Sequence, residues 1–233
     1  MKSNQILTKA AFLGTALWAA ATLQSAHAQI LFSNLNTPSG TFNSSANEVG
    51  DEIILADYGT GSTITNFSFE FFATNVASTA TYNLFLYAND GPPSPSGPAT
   101  PSTVLYTDTY NFGASGDTNG VFLYNYYPVS VSVPSDFTWA IEFSGLGGGT
   151  AGPILSTSTG AGTVGGNYTA YWLNLGTSAS PNWTVATNAD YSINFLFAAE
   201  GTPNAPTPEP SSFALMGMGI AGLAGYLKRA AKR

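Results

Sequence analysis

Between residues 29 and 199 the apolar positions recur every second residue, the period of a pleated strand with one buried face. Phe67, Phe69 and Phe71 alternate with Ser68 and Glu70, and Trp139, Ile141 and Phe143 alternate with Ala140 and Glu142. Val129, Val131 and Val133 alternate with Ser130 and Ser132, and Ile193, Phe195 and Phe197 with Ser192 and Asn194. Further β-branched and aromatic runs predict strands at 30–35, 52–56, 82–88, 104–110, 121–127 and 168–175. Turn sequences separate them: Asp57-Tyr58-Gly59, Asn89-Asp90-Gly91, Asp117-Thr118-Asn119-Gly120 and the glycines from Gly145 to Gly149. No stretch between these turns carries the 3.6-residue stripe of an amphipathic helix. The pattern therefore predicts an all-β domain over 29–200, a two-sheet β-sandwich of jelly-roll type. No fixed period repeats along it, which argues against a propeller or β-helix. The proline-rich stretch 91–101 reads as a stiff surface loop, because strand patterning resumes directly after it.

Both ends depart from this pattern. Lys2 and Lys9 precede an apolar run from Ala10 to Leu23, and Ala26-His27-Ala28 places small residues before a cut. Residues 1–28 thus read as a secretory signal peptide, cleaved by signal peptidase between Ala28 and Gln29. At the other end, 201–210 is a proline-rich linker, extended because proline fixes φ and lacks an N–H. Residues 211–227 contain no charge and predict a single membrane-spanning helix. Lys228, Arg229, Lys232 and Arg233 follow, so 228–233 reads as a basic cytoplasmic tail with the domain on the far side.

The order Pro208-Glu209-Pro210, short apolar helix, basic terminus resembles the PEP-CTERM sorting tail of exopolysaccharide-producing Gram-negative bacteria. The resemblance implies that an exosortase, a membrane-embedded cysteine protease or transpeptidase, recognises Pro208, Glu209 and Pro210 and severs the tail nearby. The membrane-anchored intermediate would then give way to a protein on the cell surface or in the extracellular matrix. The preceding domain resembles, with no diagnostic residue, the choice-of-anchor β-domains that stand before such tails.

Charge narrows the chemistry. The chain of 233 residues has 6 Lys and Arg, 13 Asp and Glu and no Cys. All six basic residues and the one histidine, His27, lie at the ends; from 29 to 207 there are acids but no Lys, Arg or His. Nucleic-acid binding, which needs cations against phosphate, is excluded for that stretch. So are a histidine base or ligand, a cysteine nucleophile, a thiolate metal site and a Ser-His-Asp triad. The acids cannot form salt bridges within the domain, so they are expected to be exposed, to cap turns or to hold cations.

Three uses of the remaining residues follow. Glu70 and Glu142 are the candidate carboxylate pair of a glycoside hydrolase. Calcium is the candidate cation, with Asp90, Asp117 and Asn119 as first donors and Asp51, Glu52 and Asp57 as further ones. Sugar contact falls to Trp183 and Tyr126, with Tyr124, Tyr127, Tyr171 and Trp172 as other flat rings, of which Trp172 is expected in the core. The reading that results is an exported surface or matrix protein, structural or adhesive rather than enzymatic. It needs no cofactor unless calcium is used, and its partners are signal peptidase, exosortase and exopolysaccharide. A secreted carbohydrate-binding module or an Asp/Glu-dependent glycosidase is the alternative.

Overall fold

A computed structural model of the chain describes residues 28–44, 46–56, 61–94, 99–115, 119–126, 129–157, 164–167, 170–186, 194–204 and 229–230. The chain divides into two compact units, one of His27–Asn204 and the other of Met1–Ala26 with Ala205–Arg233. In the second unit only Arg229 and Ala230 are described, both helical and exposed. The predicted signal peptide, membrane helix and sorting motif otherwise lie outside the described residues. Among the described residues no helix is long and apolar enough to cross a membrane.

The first unit is all-β. Its described residues form two antiparallel sheets. One contains β1 (Gln29–Ser33), β2 (Pro38–Phe42), β4 (Ser62–Thr74), β7 (Gly120–Tyr126), β8 (Val131–Val133), β10 (Thr150–Ser156), β14 (Asn194–Phe195) and β15 (Phe197–Pro203). The other contains β3 (Val49–Ile54), β5 (Thr81–Ala88), β6 (Val104–Asn111), β9 (Asp136–Ser144), β11 (Gly166–Asn167), β12 (Tyr171–Asn174) and β13 (Trp183–Ala186). A one-turn helix, α1 (Phe112–Ser115), follows β6. The first sheet runs β1-β15-β4-β10-β14 and the second β13-β12-β3-β9-β5-β6.

The period-two pattern explains the layering. On β4, Phe67, Phe69 and Phe71 turn inward, and on β9, Phe137, Trp139, Ile141 and Phe143 meet them in one continuous core. Trp139 stacks on Phe197 with ring centroids 5.1 Å apart, and Phe71 lies 5.6 Å from Phe143. Rings from opposite sheets therefore interlock, and each fully buried aromatic contributes roughly 2–3 kcal/mol of transfer free energy. At Gly152 on β10 the segment after β2 crosses so closely that a Cβ would collide with the Asn43 carbonyl, so only glycine fits there.

Several strands escape the alternation rule. β2 (PSGTF) has one large apolar residue, and β10 (TAGPILS) opens on small residues and contains Pro153. β13 begins at Trp183, in a stretch whose polarity predicts a loop. The predicted strand 129–133 shortens to Val131–Val133, and the run at 193–197 divides at Leu196. Leu196 donates to the Ile154 carbonyl and accepts from the Glu70 N–H, so the chain leaves β10 for β4 at that residue. The predicted linker loses its first residues to the sheet: β15 continues through Gly201, Thr202 and Pro203, opposite Ile64, Thr63 and Ser62. Pro203 closes that strand, a position where a missing N–H is tolerated.

Candidate functional site

Without a cation, buried acids must be satisfied by hydrogen bonds, by a proton or by something bound. Contrary to the expected exposure, the structure buries Glu48, Asp51 and Glu52. Their placement follows from the pleat. Asp51 and Glu52 are consecutive on β3, so they face opposite sides of the sheet. Asp51 turns inward with its register partner Trp139, and its Oδ2 accepts from the Phe195 N–H at 2.9 Å. Glu52 turns outward opposite Thr138.

The outer face of the second sheet holds two polar assemblies. The first surrounds Glu48. Tyr87 OH donates to Oε1 at 2.7 Å and Asn174 Nδ2 donates to Oε2 at 2.8 Å. Asn174 Oδ1 accepts from the N–H groups of Gly176 and Asn182, both at 2.9 Å, and so ties down the hairpin between β12 and β13. Burial pushes the Glu48 carboxyl up, the Asn174 and Tyr87 hydrogen bonds pull it down, and nearby Glu142 pushes it up again. Burial, with Glu48 beside it, raises the Tyr87 phenol as well. Trp183 meets Tyr87 edge to face at 5.4 Å over a small apolar cluster of Phe85, Tyr87 and Ala140. β13 and β5 stand four spacings apart in the sheet, about 19 Å if flat, so this ring contact requires the outer face to curl inward.

Replacing Tyr87 with Phe keeps that shape and leaves Glu48 Oε1 without its donor. The expected cost is about 1–3 kcal/mol, measured by urea unfolding, whereas a change within a few tenths would contradict the assigned role.

The second assembly joins three adjacent strands. Glu52 is 1% exposed and no donor is directed at either of its carboxyl oxygens. Burial first, then a hydrogen bond shared with the Asp136 carboxyl and the charges of Asp136 and Asp51, push it up to about 10, so it is protonated at neutral pH. Asp136 Oδ1 accepts from Asn89 Nδ2. Asn89 Oδ1 in turn accepts from Thr138 Oγ1 at 2.7 Å.

The residues singled out in the sequence are dispersed. Asp90 is exposed, and its two oxygens accept from Thr103 N–H at 2.9 Å and Thr103 Oγ1 at 2.6 Å, which hold its carboxyl below the usual aspartate range. Asn119 Oδ1 accepts from the Asn75 N–H at 2.7 Å and from Thr74 Oγ1, capping the turn after β4 where Asn75 adopts φ 52°. That turn leads toward the start of β5, whereas Asp90 lies just beyond its other end. Asp117 lies outside the described residues, as do Asp57, Tyr127, Ala26, Pro208, Glu209 and Pro210. Among the described residues no three Asp, Glu, His or Cys side chains gather as a metal cluster would require.

Glu70 and Glu142 do not form a pair. Glu70 faces outward on β4, and Glu142 outward on β9, where Asn83 Nδ2 donates to it at 3.1 Å. The aromatic core lies between the two carboxyls. Tyr124 stacks on Phe69 and Phe71, Tyr171 packs on Phe195, and Trp172 is 3% exposed, so these three rings serve the interior. Tyr126 stands opposite Phe67 in the β4–β7 register. Trp183 is half-buried, and its indole N–H has no acceptor. Ala28 and Gln29 are exposed; Gln29 opens β1 opposite Gly201.

Sequence reasoning missed Glu48, Tyr87, Asn174, Asp136 and Asn83. Their roles depend on contacts such as Glu48 with Asn174, 126 residues apart, which no local pattern announces.

Residues 206–229 match the PEP-CTERM protein-sorting motif. The chain thus ends in a PEP-CTERM sorting motif, which implies an exported protein that an exosortase processes. No curated protein matches it.

Proposed function

We propose that the domain is a structural or adhesive module, displayed on the cell surface or in the extracellular matrix of an exopolysaccharide-producing bacterium. The sorting motif at 206–229 carries this reading. In its finer form, signal peptidase cuts between Ala28 and Gln29, and a helix over 211–227 holds the chain until exosortase severs it near Pro208-Glu209-Pro210. A jelly-roll course is the proposed form of the two sheets.

Two observations favour display over catalysis. Glu70 and Glu142 face away from one another, and Glu48 and Glu52 are enclosed. Trp183, the leading candidate for sugar contact, covers buried Tyr87 rather than standing free. A module with a strongly anionic surface remains soluble among polysaccharides and repels copies of itself.

The test is Glu209→Ala in the native host. Export is expected to continue while tail removal stops, so the variant accumulates in the membrane at its uncut size. Normal release of a trimmed product would contradict the assignment of the motif.

A further inference from the structure

We infer that Gln29 is a modification site: once signal peptidase makes it the first residue, it closes on itself to a pyroglutamyl lactam and leaves the released domain without a primary amine. The inference rests on the proposed cut between Ala28 and Gln29.

The fold places the new terminus in water. Gln29 opens β1 opposite Gly201 of β15, and both it and Ala28 are exposed. β1 stands at the end of the strand order of its sheet, so the cut frees an α-amine at the outer rim of the domain rather than inside it. An α-amine is far less basic than a lysine, and a share of it is unprotonated and nucleophilic at neutral pH. The electrophile is the side-chain carboxamide of the same residue, so the reaction is intramolecular and needs no partner to be brought up. The α-nitrogen attacks Cδ and a five-membered ring closes. The bond from Cδ to Nε2 then breaks, and Nε2 leaves as ammonia with a proton from the α-amine. The lactam nitrogen keeps one N–H, the complement of a backbone amide, so β1 loses no donor.

Composition sets the consequence. Residues 29–207 contain no Lys, Arg or His, so the α-ammonium of Gln29 is the one cation of a chain released near Pro208. Ring closure removes that terminal charge and leaves acids as the only ionised side chains of the domain. It also removes the amine that an aminopeptidase grips, and the nucleophile that the aldehyde end of a reducing sugar would turn into an imine. Trypsin-like proteases find no bond after Lys or Arg in the same stretch. A domain displayed among polysaccharides is thereby closed both to amine coupling and to cleavage at basic residues.

The experiment takes the released protein from its native host and holds it at neutral pH until its mass is constant. Its first peptide is then read by tandem mass spectrometry after chymotryptic digestion, and the intact chain is treated with an amine-reactive biotin ester. The expected first residue is position 29, lighter than glutamine by one ammonia, in a chain that takes up no biotin. Gln29→Ala is expected to be cut at the same bond, to keep the mass of its sequence and to take up a single biotin. A chain that begins at Gln29 with unaltered mass and accepts biotin would overturn the lactam while leaving the cut in place. A chain that begins at another residue would overturn the cut, and the lactam with it.

Discussion

Phe71→Ala is expected to destabilise the domain by about 4 kcal/mol and to lower Tm by roughly 10 °C. Phe71 is fully buried in the middle of β4. Its ring touches Phe69, Tyr82, Phe112, Phe122, Tyr124 and Phe143, so it joins both sheets and α1 at one point. Removing it empties a volume whose walls are rings of both sheets, held by their own strand pairings and unable to collapse freely into the gap. Leu123→Ala is the matched control. Leu123 is 54% exposed on β7, and its loss is expected to change stability by less than about 0.5 kcal/mol. Differential scanning fluorimetry of both variants decides the matter. Equal effects would mean that the interlocked aromatic layer does not hold the sheets together.

The second large effect is a rise in stability on acidification. In buffer containing EGTA, lowering the pH from 8 to 5 is expected to stabilise the domain by about 3 kcal/mol, a Tm increase of several degrees. Burial raises the carboxyls of Glu48, Glu52 and Glu70, and Glu52 reaches about 10. A raised acid holds its proton in the folded state and releases it on unfolding. Its stabilising contribution is thus fully present below the ordinary glutamate value near 4.5 and fades as pH climbs toward the folded value. The window from 8 to 5 lies inside that interval for Glu52. Asp90 acts in the opposite sense, but its contribution disappears only below the usual aspartate value of 3.8, under this window. Glu52→Gln is expected to flatten most of the slope and to be the more stable protein at pH 8. A domain that weakens steadily from pH 8 to 5 would show instead that its acids depend on ionised partners.

The sandwich was legible because its core strands alternate strictly. Phe67-Ser68-Phe69-Glu70-Phe71 and Trp139-Ala140-Ile141-Glu142-Phe143 each specify one buried face, and the structure packs those faces together. β2 and β10 were illegible because position, not composition, makes them strands: they pair with each other, and β10 also with β4. The buried acids illustrate a different limit. Charge counting places carboxylates in water, yet Asp51 and Glu52 are neighbours within a strand, and the pleat sends one of any such pair to each side. That alternation was available in the sequence. The closure of the outer face over Glu52 was not, because it depends on Asp136 from β9 and Asn89 just beyond β5.

The sorting tail was legible at once, since motif, apolar span and basic end are contiguous and act as an address before any fold is needed. The domain it carries has no cysteine, and no Lys, Arg or His between residues 29 and 207.

The most direct measurement is intact mass spectrometry of the protein recovered from the surface or culture medium of its native host, beside a strain lacking exosortase activity. The expected mass is that of a chain beginning at Gln29 and ending near Pro208-Glu209-Pro210, with the longer form retained in the membranes of the deficient strain. A full-length Met1–Arg233 species in the soluble cytoplasmic fraction of both strains would contradict export and sorting together.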